Sequence, residues 1–168
     1  MEPMDHRLRP ATPQDLKTVL GWLPTRDAVR LWGGARLPDP LPEDVLEVWT
    51  GIKGDAEHCF ALVDPEGRLA GFGQAFPRES GTVFLARLAI APECRGRGLG
   101  RLLCLLLMER AAAHPQAREF ALKVYPENTP ALRLYRSLGF QECPAEPGSA
   151  SLLMKCPIAE APRSLSKL

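Results

Sequence analysis

Residues 82–100 read Thr-Val-Phe-Leu-Ala-Arg-Leu-Ala-Ile-Ala-Pro-Glu-Cys-Arg-Gly-Arg-Gly-Leu-Gly, and they restrict the fold more than any other stretch. The first ten, 82–91, are apolar, branched or aromatic with one internal charge, Arg87, and predict a buried strand. Pro92 has no N–H to give a ladder and ends it. The apolar run 102–108 that follows the glycines is a buried helix. Strand, glycine-rich turn, helix is the order that builds an anion site. Glycine lets an oxygen approach the backbone and permits positive φ, while the first N–H groups of a helix have no partner within it. Arg95, Arg97 and Arg101 add cationic charge, so a phosphate or pyrophosphate is the expected occupant.

Spacing narrows the ligand. A dinucleotide fingerprint counted from Gly96 would need its third glycine at Arg101, and the Gly-Lys-Ser/Thr ending of a Walker loop is absent. By itself a short Arg-Gly stretch also suits a solvated turn or an RNA-binding repeat. What stands in the chain is Arg95-x-x-Gly98-x-Gly100. It resembles the acetyl-CoA signature of the GNAT superfamily of N-acetyltransferases, R/Q-x-x-G-x-G/A.

The rest of the chain bounds the class. Its 168 residues suffice for one domain with a core. A formal net charge of +1 gives no support for a nucleic-acid partner. The polar, proline-punctuated start does not resemble a signal peptide, and no apolar run approaches the ~20 residues of a membrane span. Cys59, Cys94, Cys104, Cys143 and Cys156 are odd in number and form no C-x-x-C. With His6, His58 and His114 they make no metal constellation, so no metal is expected and a reducing cytoplasm fits. The chain ends Ser166-Lys167-Leu168, a tripeptide that peroxisomal receptors read. The abundance of Arg, Ala, Pro and Leu points instead to a GC-rich bacterial source, and that signal is set aside.

Residues 6–10 suit a short first strand. Thr12-Pro13-Gln14-Asp15 is a capping box with proline at the first helical position, opening a helix to about Leu23. Thr25 caps a second helix to Trp32, closed by Gly33-Gly34. Residues 43–50 form a third, with Val45, Leu46 and Trp49 inward. Strands over 58–63 and 68–76 are joined by the turn Asp64-Pro65-Glu66-Gly67. The small residues alternating with Leu69 (Gly71, Gly73, Ala75) suit a sheet face closely covered by a helix. The expected architecture is a single α/β domain over 1–156 with a tail over 157–168. Its mixed central sheet has antiparallel N-terminal strands, a parallel central pair and flanking helices.

Beyond the central helix, 119–125 is the next strand, parallel to 82–91 because a helix precedes it. Asn128-Thr129-Pro130 opens a helix ended by Gly139, and 140–143 with 151–156 make a last antiparallel pair. The stretch from Val124 through Asn128, Ala131, Leu134 and Tyr135 to Gly139-Phe140 is similar to the family's second motif, V-x-x-x-N-x-x-A-x-x-L-Y-x-x-x-G-F. Two motifs in order and at the right separation specify the family together. The match covers 83–143, whereas the first seventy or so residues share only element order.

The resemblance implies acetyl-CoA as co-substrate and an acyl-CoA-dependent N-acyltransferase that works by direct transfer in a ternary complex. The backbones of Leu88, Ala89 and Ile90 would pair with pantetheine. The pyrophosphate would rest on the turn formed by Arg95, Gly96, Arg97, Gly98, Leu99, Gly100 and Arg101. Asn128 would bind near the pantetheine, and Tyr135 would stand by the thioester sulfur as general acid. On the residues alone, Tyr135 is also a core helix aromatic and Asn128 a plain N-cap. Some members carry a glutamate where this chain has Lys123, so no general base can be named. Arg87 and Lys123 either form a cationic wall that favours an anionic acceptor or each pair with an acidic neighbour in the sheet. Trp32 is the tryptophan best placed for an acceptor pocket, while Trp22 and Trp49 read as packing. Cys94 and Cys104 are discounted as acyl carriers. The expected partner is a small-molecule amine, with a protein amine next; no nucleic acid or membrane partner is expected, and the chain is a monomer or homodimer. A catalytically silent acyl-CoA-binding module and a nucleotide-binding protein are the rivals from other classes.

Overall fold

The computed structural model describes residues 5–34, 37–52, 58–144 and 146–162. In chain order the elements are β1 (Arg7–Pro10), α1 (Pro13–Gly21), α2 (Arg26–Gly33), α3 (Val45–Ile52), β2 (Cys59–Val63), β3 (Leu69–Pro77) and β4 (Thr82–Ile90), followed by α4 (Leu99–Ala112), β5 (Glu119–Val124), α5 (Thr129–Ser137), β6 (Gln141–Glu142) and β7 (Leu152–Pro157). One seven-stranded sheet runs β1-β2-β3-β4-β5-β7-β6. Among the described residues only β4 and β5 pair in parallel, as the intervening helix requires. Thus the expected α/β class and mixed sheet are what the chain adopts. Ser166, Lys167 and Leu168 lie outside the described residues.

The sheet separates two apolar clusters. On one face α4 and α5 pack Leu103, Leu107, Met108 and Leu132 against Leu85, Phe120 and Leu122. On the other, α1, α2 and α3 bring Leu16, Trp32, Trp49 and Ile52 onto Cys59 and Phe72. The alternation of β3 explains the close fit of α4. A Cβ on Gly73 would come within 2.7 Å of both Leu107 Cδ1 and Leu88 Cδ2, so only glycine admits the helix at this distance. Thr12 caps α1 in the expected capping box, and Asp15 also binds Arg9 at 2.6 Å. Beside that guanidinium, desolvation is outweighed and the Asp15 carboxyl is held below the usual range.

Some expectations need correction. α1 ends at Gly21 with Trp22 as its C-cap, short of Leu23. α3 begins at Val45, two residues later than expected, and its buried stripe is Val48, Trp49 and Ile52. Leu46, expected inward, is 54% exposed, because the i, i+3, i+4 spacing from Val45 turns it to solvent. Downstream, β7 inserts between β5 and β6. The ordered chain continues past Cys156, with the Ile158 N–H donating to the Arg118 carbonyl at 3.0 Å. Among the described residues no helix is long and apolar enough to cross a membrane.

Candidate active site

The parallel pair is short. Thr82, Val83 and Phe84 pair with Glu119, Phe120 and Ala121, and there the pairing ends although β4 runs on to Ile90 and β5 to Val124. The strands part, and a cleft of about 410 Å³ opens between them. This explains why β4 is buried at its start and only half-buried from Ala86 onward.

β4 is also bulged here. Gln74 of β3 faces Ala86 and Phe72 faces Ala89, so Arg87 and Leu88 together oppose Gly73. Arg87 takes the extra position with φ of 51°, a left-handed conformation that costs a non-glycine residue about 1–2 kcal/mol. Two contacts hold it. Trp32 Nε1 donates to the Arg87 carbonyl at 2.9 Å, and Arg87 Nη1 donates to Gln74 Oε1 at 2.9 Å. The Gln74 amide nitrogen in turn donates to the Ile52 carbonyl at 2.6 Å. The Arg87 guanidinium therefore lies on the face of the sheet covered by α3.

Past the bulge, the Ala91 N–H is bonded to the Ala70 carbonyl at 2.8 Å. Peptide groups alternate between the two edges of a strand, so those of Ile90 and Leu88 turn to the parted edge. Leu88, Ala89 and Ile90 all line the cleft. At its far end Gly96 and Gly98 have φ of 76° and 79°, the positive values that a turn into a helix needs. Gly98 is the N-cap of α4, and the first bond of that helix runs from the Leu102 N–H to the Gly98 carbonyl. The N–H groups of Leu99, Gly100 and Arg101 thus have no helical partner. Arg95 and Gly100 line the cleft, Gly96, Arg97 and Gly98 form an exposed turn, and Leu99 anchors the helix in the core. Arg95 Nε donates to the Ile90 carbonyl at 3.1 Å. Arg101 leans instead on Ser137 Oγ of α5 at 3.1 Å.

The opposite wall comes from α5 and β5. Asn128 is the N-cap of α5 by position, but its side chain makes no capping bond, and it lines the cleft with Ala131, Leu134 and Tyr135. Burial pushes the Tyr135 phenol well above its ordinary value, and the nearby Cys104 adds to the effect. It is a neutral hydroxyl throughout the neutral range, able to donate a hydrogen bond to an anion. The Cys104 thiol, also on the wall, is pushed up to about 12 by burial, so it is no nucleophile at neutral pH. Lys123 lines the same cleft and has no ion pair among the described residues. No carboxylate and no histidine lines the cleft among the described residues.

The nearby carboxylates are engaged elsewhere. Glu119 accepts from Thr82 Oγ1 at 2.8 Å and Lys155 Nζ at 3.1 Å. Glu127 pairs with Arg30 at 2.8 Å, and Arg30 also lies 4.7 Å over the Tyr125 ring. That clamp ties α2 to the loop before α5 across the cleft. Its partners are 97 residues apart, and nothing local in the sequence signals it. Gln74 was likewise missed, although a lone amide amid small residues on a buried strand was a signal. Trp22 and Trp49 stay off the cleft, while Trp32 lines it.

Residues 24–140 match the model of the acetyltransferase (GNAT) family. An uncharacterized N-acetyltransferase of Escherichia coli is 32% identical over 116 residues, 64% of this chain and 64% of that protein. The spermine/spermidine N(1)-acetyltransferase of Bacillus subtilis is 32% identical over 83 residues, 45% of this chain and 55% of the relative. The chain therefore spans less than two thirds of either relative. Among solved structures, the spermidine N-acetyltransferase from Vibrio cholerae in complex with CoA and spermine shares the fold with a TM-score of 0.74. The identity is 19%, over 94% of this chain and 98% of that one. A phosphinothricin acetyltransferase from Sinorhizobium meliloti in complex with AcCoA gives a TM-score of 0.67 at 20% identity, over 92% and 89%.

Proposed function

This chain belongs to the GNAT acetyltransferase family, and from that premise we propose that it moves an acetyl group from acetyl-CoA to the primary amine of a small molecule. Transfer is direct, with donor and acceptor bound together. The observation that carries this reading is the parted β4–β5 pair, whose cleft ends at the glycine turn and the α4 N-terminus. The residues present fit such a donor. Unpaired amides of Leu99, Gly100 and Arg101, with Arg95 beside them, suit a pyrophosphate. The peptide edge at Leu88 and Ile90, turned away from β3, and the Asn128 side chain, which makes no capping bond, suit the pantetheine amides. Acetyl-CoA supplies the activated acetyl group as a thioester.

The chain's own residues then have distinct tasks. The β4 edge orients the donor, and Trp32 with α2 closes the apolar wall around it. Tyr135 holds its proton at Oη until sulfur gains charge. Cys104 stays protonated, which favours direct transfer over a covalent acyl relay. An ammonium has no lone pair, so the acceptor must lose a proton before attack. With no described carboxylate or histidine on the walls, its own pKa or ordered water serves. Relatives named for spermine, spermidine and mycothiol support a small-molecule acceptor.

The test is thiol release from acetyl-CoA across amines of graded pKa. The expected result is one N-acetyl product per thiol, no acetylated protein in the absence of amine, and an acid limb of kcat/KM that moves with the amine's pKa. Thiol release without an amine product, or an acetyl-protein that forms at a competent rate, would overturn the reading.

A further inference from the structure

The acceptor end of the cleft has a charge of its own. In β5, Phe120, Leu122 and Val124 belong to the core under α4 and α5. Side chains alternate along a strand, so Lys123 projects to the opposite face, the one covered by α1, α2 and α3. Arg87 reaches the same face, where Gln74 and the Ile52 carbonyl fix its place. Both residues line the cleft with Trp32, but the Arg87 guanidinium is turned onto Gln74, whereas Lys123 is exposed. The third lining cation, Arg95, sits at the glycine turn and serves the donor phosphates. Glu119 and Glu127, the described carboxylates closest in sequence to Lys123, are bound to Lys155 and Arg30.

We infer that the acceptor is an amine that also carries an anionic group, a carboxylate or a phosphate, received by Lys123 beside Arg87. This rests on the transferase reading above and names its substrate class. The exposed Lys123 lines the cleft with no ion pair among the described residues, and its ammonium can make a charge-assisted contact to an anionic group that enters there. The donor thioester needs no such charge near the amine. A polycation would instead meet a like charge at Lys123. The same argument makes Lys123 a specificity-determining residue rather than a catalytic one.

The experiment measures kcat/KM for matched acceptors in the presence of acetyl-CoA: α-amino acids, their amides, aminoalkyl phosphates and spermidine. The wild-type protein is expected to favour the acid over its amide by about 10- to 100-fold. In Lys123→Ala that ratio collapses towards one, Lys123→Arg restores it in part, and Lys123→Glu turns preference to spermidine. A wild-type ratio near one, or a ratio unmoved in Lys123→Ala, would overturn the inference while leaving the transferase reading intact. Failure of every amine would overturn the transferase reading instead. The charge selectivity would then be judged by calorimetry of N-acetyl amino acids against their amides on CoA-loaded protein. Preference for the acid that is lost in Lys123→Ala supports the inference, and equal binding of the two overturns it.

Discussion

Tyr135 stands on α5 with its ring edge to Phe140, centroids 6.1 Å apart, and lines the cleft. Replacing it by phenylalanine keeps the packing and removes one proton donor. Tyr135→Phe is therefore expected to keep its fold and acetyl-CoA affinity while the chemical step slows by roughly 10²–10⁴-fold. The loss should fall on kcat and kcat/KM together, since the proton matters only in the transition state. Single-turnover rates read this without interference from product release. A wild-type rate in the variant would make Tyr135 a packing residue and leave water to protonate the thiolate. Tyr135, Asn128 and the glycine turn were legible in the sequence because motif spacing places them. Arg87 was legible as a charge on an apolar strand, but its left-handed backbone was not. That conformation comes from an extra residue opposite Gly73, and register between strands is not written in either strand alone.

At the scale of elements, two glycines have opposite consequences. Gly73 lies where α4 presses on β3, and a Cβ there meets Leu107 and Leu88 at 2.7 Å. Gly73→Val should push helix and sheet apart and destabilise the fold by about 1–3 kcal/mol. Gly51 lies in α3 with nothing within 4 Å of an added Cβ, and Gly51→Ala should stabilise by about 0.5–1 kcal/mol. Urea melts of both variants check this, and a shift of the same sign in both would contradict the packing described. The small-residue alternation of β3 announced its covering helix in advance. The strand order did not announce itself in this way. β7 inserts between β5 and β6 although it follows both, and a pairing between segments so far apart leaves no mark in local periodicity. The exposed Leu46 shows a related limit: it lies off the i, i+3, i+4 stripe of Val45, Val48, Trp49 and Ile52, and apolar character alone does not put a residue on the buried face.

For the whole molecule, the cleft between the parted strands draws its walls from both layers. The face under α4 and α5 supplies the glycine turn and Tyr135, and the face under α1, α2 and α3 supplies Trp32 and the surroundings of Arg87. Where β4 and β5 part, residues of both faces line one cleft. The glycine-turn end of that cleft was legible, because strand, turn and helix are contiguous in the chain. On the other side Trp32, Arg87 and Lys123 were candidates from the sequence and all line the cleft, but the contact of Gln74 with Arg87 was not legible, since it joins two strands through a bulge. The central claim is that acetyl-CoA sits in this opening with its phosphates on the Gly98 turn. Gly98 is exposed, and an added Cβ there meets nothing within 4 Å, so Gly98→Glu brings bulk and negative charge to the phosphate end without crowding the core. Its positive φ costs the fold about 1–2 kcal/mol. The direct measurement is the melting temperature of both proteins as acetyl-CoA is raised. The wild type should gain about 2.7 kcal/mol at a hundredfold excess over Kd and the variant almost nothing; a variant that gains as much as the wild type would contradict the account.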